Sequence, residues 1–208
     1  MNTAELVRLS PVIPVVTLED PAEAVPTAQA LVKGGVRIIE LTLRTDSALE
    51  SLRRIVAEVP EITAGAGTVL NPWQASAAAQ AGAQFLVSPG LTRALTRWIA
   101  EDTDVPFLPG VSDLGQMMEA RDHGLTELKF FPAEAAGGAA YLKAAAGPVP
   151  DLTFCPTGGI NLRNAAEYLA LPNVACVGGT WLTPAELVEA GRYEEITARA
   201  GEALRLRA

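Results

Sequence analysis

Glu127-Leu128-Lys129-Phe130-Phe131-Pro132-Ala133-Glu134 is a short, β-prone, largely apolar run that stops at a proline and carries one lysine. Its length is that of a strand, and its near-continuous apolar character is that of a parallel strand covered on both faces. Lysine is depleted in strands, and burying its ammonium is costly unless it is paired or neutral. The chain has three lysines. Lys33 falls at a predicted helix C-terminus, where a cation suits the dipole. Lys143 lies in an alanine-rich helical stretch and reads as solvated. Lys129 has no such ordinary placement, so it is the residue for which a function is sought.

Seven more runs of the same kind flank it. Counting this one, strands are predicted over 12–16, 37–43, 63–66, 84–87, 105–108, 127–131, 152–155 and 174–177. Their ends recur at roughly the length of one βα unit. The helix starts between them are legible. Asp20-Pro21-Ala22-Glu23, Asn71-Pro72-Trp73-Gln74 and Thr183-Pro184-Ala185-Glu186 each offer an N-cap, proline at the first helical position and an acid or amide at the third. Ser88-Pro89-Gly90-Leu91-Thr92 and Leu108-Pro109-Gly110-Val111-Ser112 echo each other as strand end, Pro-Gly turn and hydroxyl cap. A short helix is predicted over 3–9 and a last one over 193–206. No linker or charge block divides the chain. Eight βα units predict one α/β domain over 1–208, a (β/α)8 TIM barrel with a short N-terminal helix. The competing architecture is an open doubly wound sheet.

Composition narrows the function. The 208 residues are 49% hydrophobic and 19% charged, with a formal net charge of -8. An acidic chain lacks the basic face that phosphate backbones require, so no nucleic-acid role is expected. No apolar run reaches ~18 residues, so no membrane span is expected. No basic-then-apolar leader is seen, which makes the cytoplasm the default. Cys155 and Cys176 lie in apolar segments without metal spacing and read as buried free thiols. His123 is the single histidine, in a helix end and turn. There is thus no His cluster for a metal, no His–carboxylate pair and no Ser-His-Asp set. No metal and no cofactor are expected.

Barrel chemistry sits at the C-terminal strand ends. In Ile38-Ile39-Glu40-Leu41-Thr42-Leu43-Arg44, alternation puts Glu40, Thr42 and Arg44 on one face and the apolar residues on the other. The polar set should point inward. A buried Glu40–Arg44 ion pair would explain these two alone, and a lysine snorkelling to water would explain Lys129 alone. Together they read as a site. A lysine nucleophile must be neutral, whereas free lysine titrates near about 10.4. Burial and a neighbouring cation lower that value. Phe130, Phe131 and Pro132 offer the first, and Arg44 the second. Glu40 supplies a carboxylate for proton transfer. Strand parity turns Phe131 inward as a wall and Phe130 toward the helices. The double glycines Gly158-Gly159 (after Thr157) and Gly178-Gly179 (before Thr180) end the last two predicted strands, where barrels often bind phosphate. Gly65-Ala66-Gly67-Thr68 is not a dinucleotide fingerprint, since Leu70 stands at the third glycine. It reads as a close-packed strand end presenting Thr68.

These segments, with Gly34-Gly35-Val36, Thr45, Val69-Leu70-Asn71-Pro72 and Cys155-Pro156-Thr157-Gly158-Gly159-Ile160, resemble the bacterial 2-keto-3-deoxy-6-phosphogluconate (KDPG) aldolase and 4-hydroxy-2-oxoglutarate aldolase family. The resemblance runs from about Pro11 to the C-terminus. It implies a trimeric class I aldolase of the Entner–Doudoroff pathway, acting on a keto-acid phosphate without metal or cofactor. By motif, Lys129 matches the Schiff-base lysine and Glu40 the general acid/base. Arg44, Thr68 and Thr157 match positions near the substrate carboxylate and keto end. Pro89 falls in a matching motif and is carried over, like Phe131, as substrate-binding. Gly158, Gly159, Gly178, Gly179 and Thr180 match the phosphate loops. The chain departs from the family at Thr180, where serine is usual, and at Ala135-Ala136, where asparagine often precedes the glycines. An aldolase for the galactonate epimer remains an alternative, as does a non-catalytic sugar-phosphate-binding barrel.

Overall fold

The structure is a computed structural model that describes residues 1–207. Ala208, the end of the expected domain, lies outside the described residues. The strands are β1 (Val12–Val16), β2 (Ile38–Thr42), β3 (Thr63–Gly67), β4 (Leu86–Val87), β5 (Phe107–Leu108), β6 (Gly110–Val111), β7 (Glu127–Phe130), β8 (Thr153–Pro156) and β9 (Val177–Gly179). Helices α1 (Thr3–Leu6), α2 (Ala24–Lys33), α3 (Ala48–Glu58), α4 (Pro72–Gln80), α5 (Arg93–Glu101), α6 (Leu114–Asp122), α7 (Gly138–Ala145), α8 (Ala165–Leu169), α9 (Ala185–Glu189) and α10 (Tyr193–Leu204) alternate with them. The strand pairs are parallel and form two sheets. One runs β5-β4-β3-β2-β1-β9, the other β6-β7-β8. This is an α/β fold of curled parallel sheets. Strand residues are buried on both faces, and β1 and β2 are buried at every position.

Pro109 separates the sheets. The stretch Leu108-Pro109-Gly110-Val111-Ser112, expected as a turn and hydroxyl cap, is instead a strand broken once. Proline has no N–H for a ladder, but its carbonyl accepts from the Lys129 amide at 2.8 Å. Gly110 and Val111 then pair with Lys129 and Phe130. The cap of α6 is Asp113, which accepts from the Gln116 amide at 2.9 Å. The last predicted strand also moves: 174–177 becomes Val177–Gly179, because its ladder starts where β1 starts, Val12 opposite Val177. Val174 lies outside the strand and forms an isolated bridge with Phe154. Strand 37–43 ends at Thr42, and 84–87 contracts to Leu86–Val87.

Helix starts hold the loops at the carboxyl strand ends. Asn71 accepts from the Gln74 amide at 3.0 Å, and Gln74 returns to the Leu70 amide at 2.8 Å. Thr92 accepts from Leu95 and Asp20 from Ala22. At Thr183-Pro184 the expected cap is absent: the Thr183 hydroxyl is buried without a hydrogen-bond partner. Helix α10 lies against α2, where Thr197 donates to the Ala30 carbonyl at 3.0 Å. Contact is close enough that a side chain at Gly34 would meet Ala200 at 2.5 Å. Among the described residues no helix is long and apolar enough to cross a membrane.

Candidate active site

Lys129 lies on β7 in the smaller sheet and Glu40 on β2 in the larger one. Their side chains meet across the interior, Lys129 Nζ donating to Glu40 Oε1 at 3.2 Å. Lys129 is 5% and Glu40 3% exposed. The expected alternative, a buried Glu40–Arg44 pair, is not what forms. The Phe131 ring lies 5.4 Å from the ammonium. Phe130 points the other way, fully buried and stacked on Tyr141. Lys33 and Lys143 are exposed on α2 and α7, and His123 is exposed at the end of α6.

Arg44 corrects one expectation. The alternation that turned it inward stops with β2 at Thr42, and Arg44 is exposed. Its Nε donates to Thr68 Oγ1 at 3.2 Å, so it sits at the site's lip instead of serving as a buried cation beside Lys129. Thr68 is half-buried with φ +59°, in the left-handed region. Thr42 is buried and shares a hydrogen bond with Thr17 at 2.7 Å, a partner that the sequence reading did not identify. Pro89 is half-buried against Gly110, where a Cβ would meet its carbonyl carbon at 2.3 Å. Gly110 in turn is the strand partner of Lys129.

The double glycines have structural reasons of their own. Gly158 and Gly159 have φ of +99° and +81°, which glycine adopts without steric cost. Their loop is tied to the one after β7: the Ala133 amide donates to Thr157 and the Glu134 amide to Gly158. The Glu134 side chain crosses Gly159 and accepts from the Tyr168 hydroxyl on α8. Burial pushes the Tyr168 phenol up, and the Glu134 hydrogen bond adds to it. This Glu134–Tyr168 tie carried no role in the sequence reading, since nothing local marks a tyrosine on a distant helix as its partner. Gly178 and Gly179 lie within β9, not after it. A Cβ on Gly178 would sit 2.2 Å from Thr157 Oγ1, and one on Gly179 would enter the Trp181 ring. Thr157 is buried and Thr180 exposed. Thr180 lines a cavity of about 330 Å³ with Val15, Thr17, Trp181 and Thr183. A larger cavity of about 580 Å³ opens between Asn161–Arg163 and α10 and includes neither Lys129 nor Glu40. Among the described residues no His/Cys/Asp/Glu group of three has metal-binding geometry.

A parallel α/β fold with a carboxylate-paired lysine buried near its strand ends is the equipment of a lysine-dependent aldolase, the class in which an amine attacks a substrate ketone. Comparison with known proteins narrows the class. Residues 3–199 match the family described as KDPG and KHG aldolase, and the chain belongs to that family. It is 52% identical over 203 residues to the 2-dehydro-3-deoxy-phosphogluconate aldolase of Dickeya dadantii, covering 98% of this chain and 95% of that one. It is 51% identical over the same length to the KHG/KDPG aldolase of Escherichia coli K12, with the same coverage. Among solved structures, the KDPG aldolase of Legionella pneumophila, with pyruvate captured as a covalent carbinolamine, superposes with a TM-score of 0.96 at 42% identity over 98% of both chains.

Proposed function

We propose that this chain is a class I aldolase that cleaves 2-keto-3-deoxy-6-phosphogluconate to pyruvate and glyceraldehyde 3-phosphate, and that it also acts on 4-hydroxy-2-oxoglutarate. The observation that carries the reading is the Lys129–Glu40 contact of 3.2 Å, buried between two sheets. A buried ion pair is a poor source of stability, because desolvation offsets most of the attraction. An amine beside a carboxylate is, however, what imine formation needs.

Lys129 passes a proton to Glu40 and, now neutral, adds to the C2 ketone; Glu40 gives the proton back to the departing hydroxyl, so that water leaves and the protonated imine forms. That cation takes up the electron pair as C3–C4 breaks. Glu40, through a water, removes the C4 hydroxyl proton as the aldehyde departs. The enamine is protonated and hydrolysis frees pyruvate. Arg44, steadied by Thr68, receives the substrate carboxylate in its guanidinium fork. Thr157 serves the keto end, and Phe131 and Pro89 wall the site. Gly158, Gly159, Gly178, Gly179 and Thr180 hold the phosphate.

On this reading the two sheets are arcs of one (β/α)8 barrel domain. Supporting it, β5 and β6 are separated by Pro109 alone, and bridges Phe154↔Val174 and Thr157↔Gly178 join β8 and the residue after it to the segment before β9 and to β9. The family resemblance supports a cytoplasmic homotrimer of the Entner–Doudoroff pathway. Incubation with pyruvate and borohydride, then peptide mass spectrometry, tests the chemistry. The adduct is expected on Lys129. No adduct, or one on Lys33 or Lys143, overturns it. Lys129→Ala should abolish turnover while the circular dichroism spectrum stays that of the parent.

A further inference from the structure

Beside the Lys129–Glu40 contact stands Gly67, the last residue of β3. Glu40 stands opposite Gly65 on β3, and its side chain extends along that strand toward Gly67. A Cβ built on Gly67 would lie 2.0 Å from Glu40 Oε1, 2.6 Å from Cγ and 2.7 Å from Cδ. Oε1 is the oxygen that accepts from Lys129. The carboxylate therefore occupies the volume that any side chain at position 67 would need. Backbone conformation is not the reason for glycine here. Gly67 is paired with Thr42 in β3 and lies outside the left-handed region. Gly65, two residues earlier, serves a different purpose: it makes room for the Phe85 ring at 2.5 Å, a core contact.

We infer that Gly67 is a positioning residue for Glu40, the empty side-chain volume on β3 setting where the carboxylate stands against Lys129. The inference rests on the aldolase reading and goes one step past it. The three atoms nearest to such a methyl group all belong to the Glu40 side chain, Cγ as well as the carboxylate. So the cost of Gly67→Ala falls first on where the carboxylate stands. A misplacement of about 1 Å in a catalytic group lowers rates by about 10²-fold.

Turnover, KM and pyruvate–borohydride trapping are to be compared for the parent, Gly67→Ala, Glu40→Asp and the double variant. Gly67→Ala is expected to lower kcat about 10²-fold and slow trapping in step, with KM little changed because the substrate's anionic ends are held elsewhere. Aspartate is one methylene shorter, so it has no atom in the place of Oε1, 2.0 Å from the added methyl, although its carboxyl carbon takes the place of Cγ at 2.6 Å. Adding Gly67→Ala to Glu40→Asp should therefore cost less than adding it to the parent. An equal cost in both backgrounds marks a merely structural role and overturns the inference. So does a Gly67→Ala enzyme with parental kcat. A Gly67→Ala chain that folds only with Glu40→Asp supports it, and one that folds in neither background overturns it. If the parent itself traps no pyruvate, the aldolase reading fails first; a parent trapped at Lys129 beside a fully active Gly67→Ala refutes the positioning role alone.

Discussion

Among the described residues, Thr68 is the non-glycine residue with a left-handed backbone. A β-branched side chain at φ +59° is unfavourable by roughly 1–3 kcal/mol. Ladder bonds on both sides hold it there: the Leu43 amide donates to Gly67 at 2.8 Å and the Val69 amide to Val87 at 3.1 Å. What the conformation delivers is a hydroxyl facing Arg44. Thr68→Gly should therefore leave thermal stability unchanged or raise it slightly. Relief of strain exceeds the added freedom of the unfolded chain, about 0.5–1 kcal/mol. KM for the keto acid should rise as Arg44 loses its partner, with kcat less affected. A clear fall in the melting temperature would show that no strain is stored there. Neither Thr68's conformation nor Arg44's exposure was legible in the sequence. Propensity argues against a left-handed threonine, and alternation does not tell where a strand ends. Lys129 and Glu40 were legible because a charge in an apolar strand contradicts its surroundings and requires a partner.

Elements were legible where apolar content and capping chemistry agree. The strands and the starts of α4 and α5 follow directly from such patterns. The break at Pro109 and the shift of the last strand did not, because both are set by the neighbouring strand and not by local residues. The glycines at 158–159 were read as ligand-binding, yet their positive φ and the passage of Glu134 already require them. The same tie joins the loop after β7 to α8 through Tyr168, and it has a pH signature. Burial and Glu134 raise the phenol's pKa above the ordinary value of 10.0. The folded state then keeps its proton when the unfolded state has lost it. The stability from this difference is complete below pH about 10 and is lost as pH climbs through the higher folded-state value. Denaturant unfolding from pH 8 to 11 should show stability falling past pH 10. Tyr168→Phe should flatten that fall while lowering stability at pH 8. An alkaline slope unchanged by Tyr168→Phe would place the titration elsewhere, Tyr193 being the other phenol raised by burial.

For the whole molecule the question is whether two sheets behave as one ring. An open parallel sheet leaves unpaired edges, and closure removes them. The seams proposed here are Pro109, whose carbonyl binds the Lys129 amide, and the Thr157↔Gly178 bridge. Trp98, packed edge-on against Phe107, reports on the larger sheet, and Tyr141, stacked on Phe130, on the smaller. If the ring is closed, opening one seam weakens both arcs together. Gly178→Ala tests this, since its Cβ would stand 2.2 Å from Thr157 Oγ1 and 3.0 Å from Cγ2. Overpacking of that kind costs about 1–3 kcal/mol. Tryptophan fluorescence and near-ultraviolet dichroism of the tyrosines should give coincident urea transitions in the parent. In Gly178→Ala both midpoints should fall by the same amount. A shift confined to one probe would mean that the arcs unfold separately. The Lys129–Glu40 contact, one partner on each sheet, would then have no common frame to hold its 3.2 Å separation.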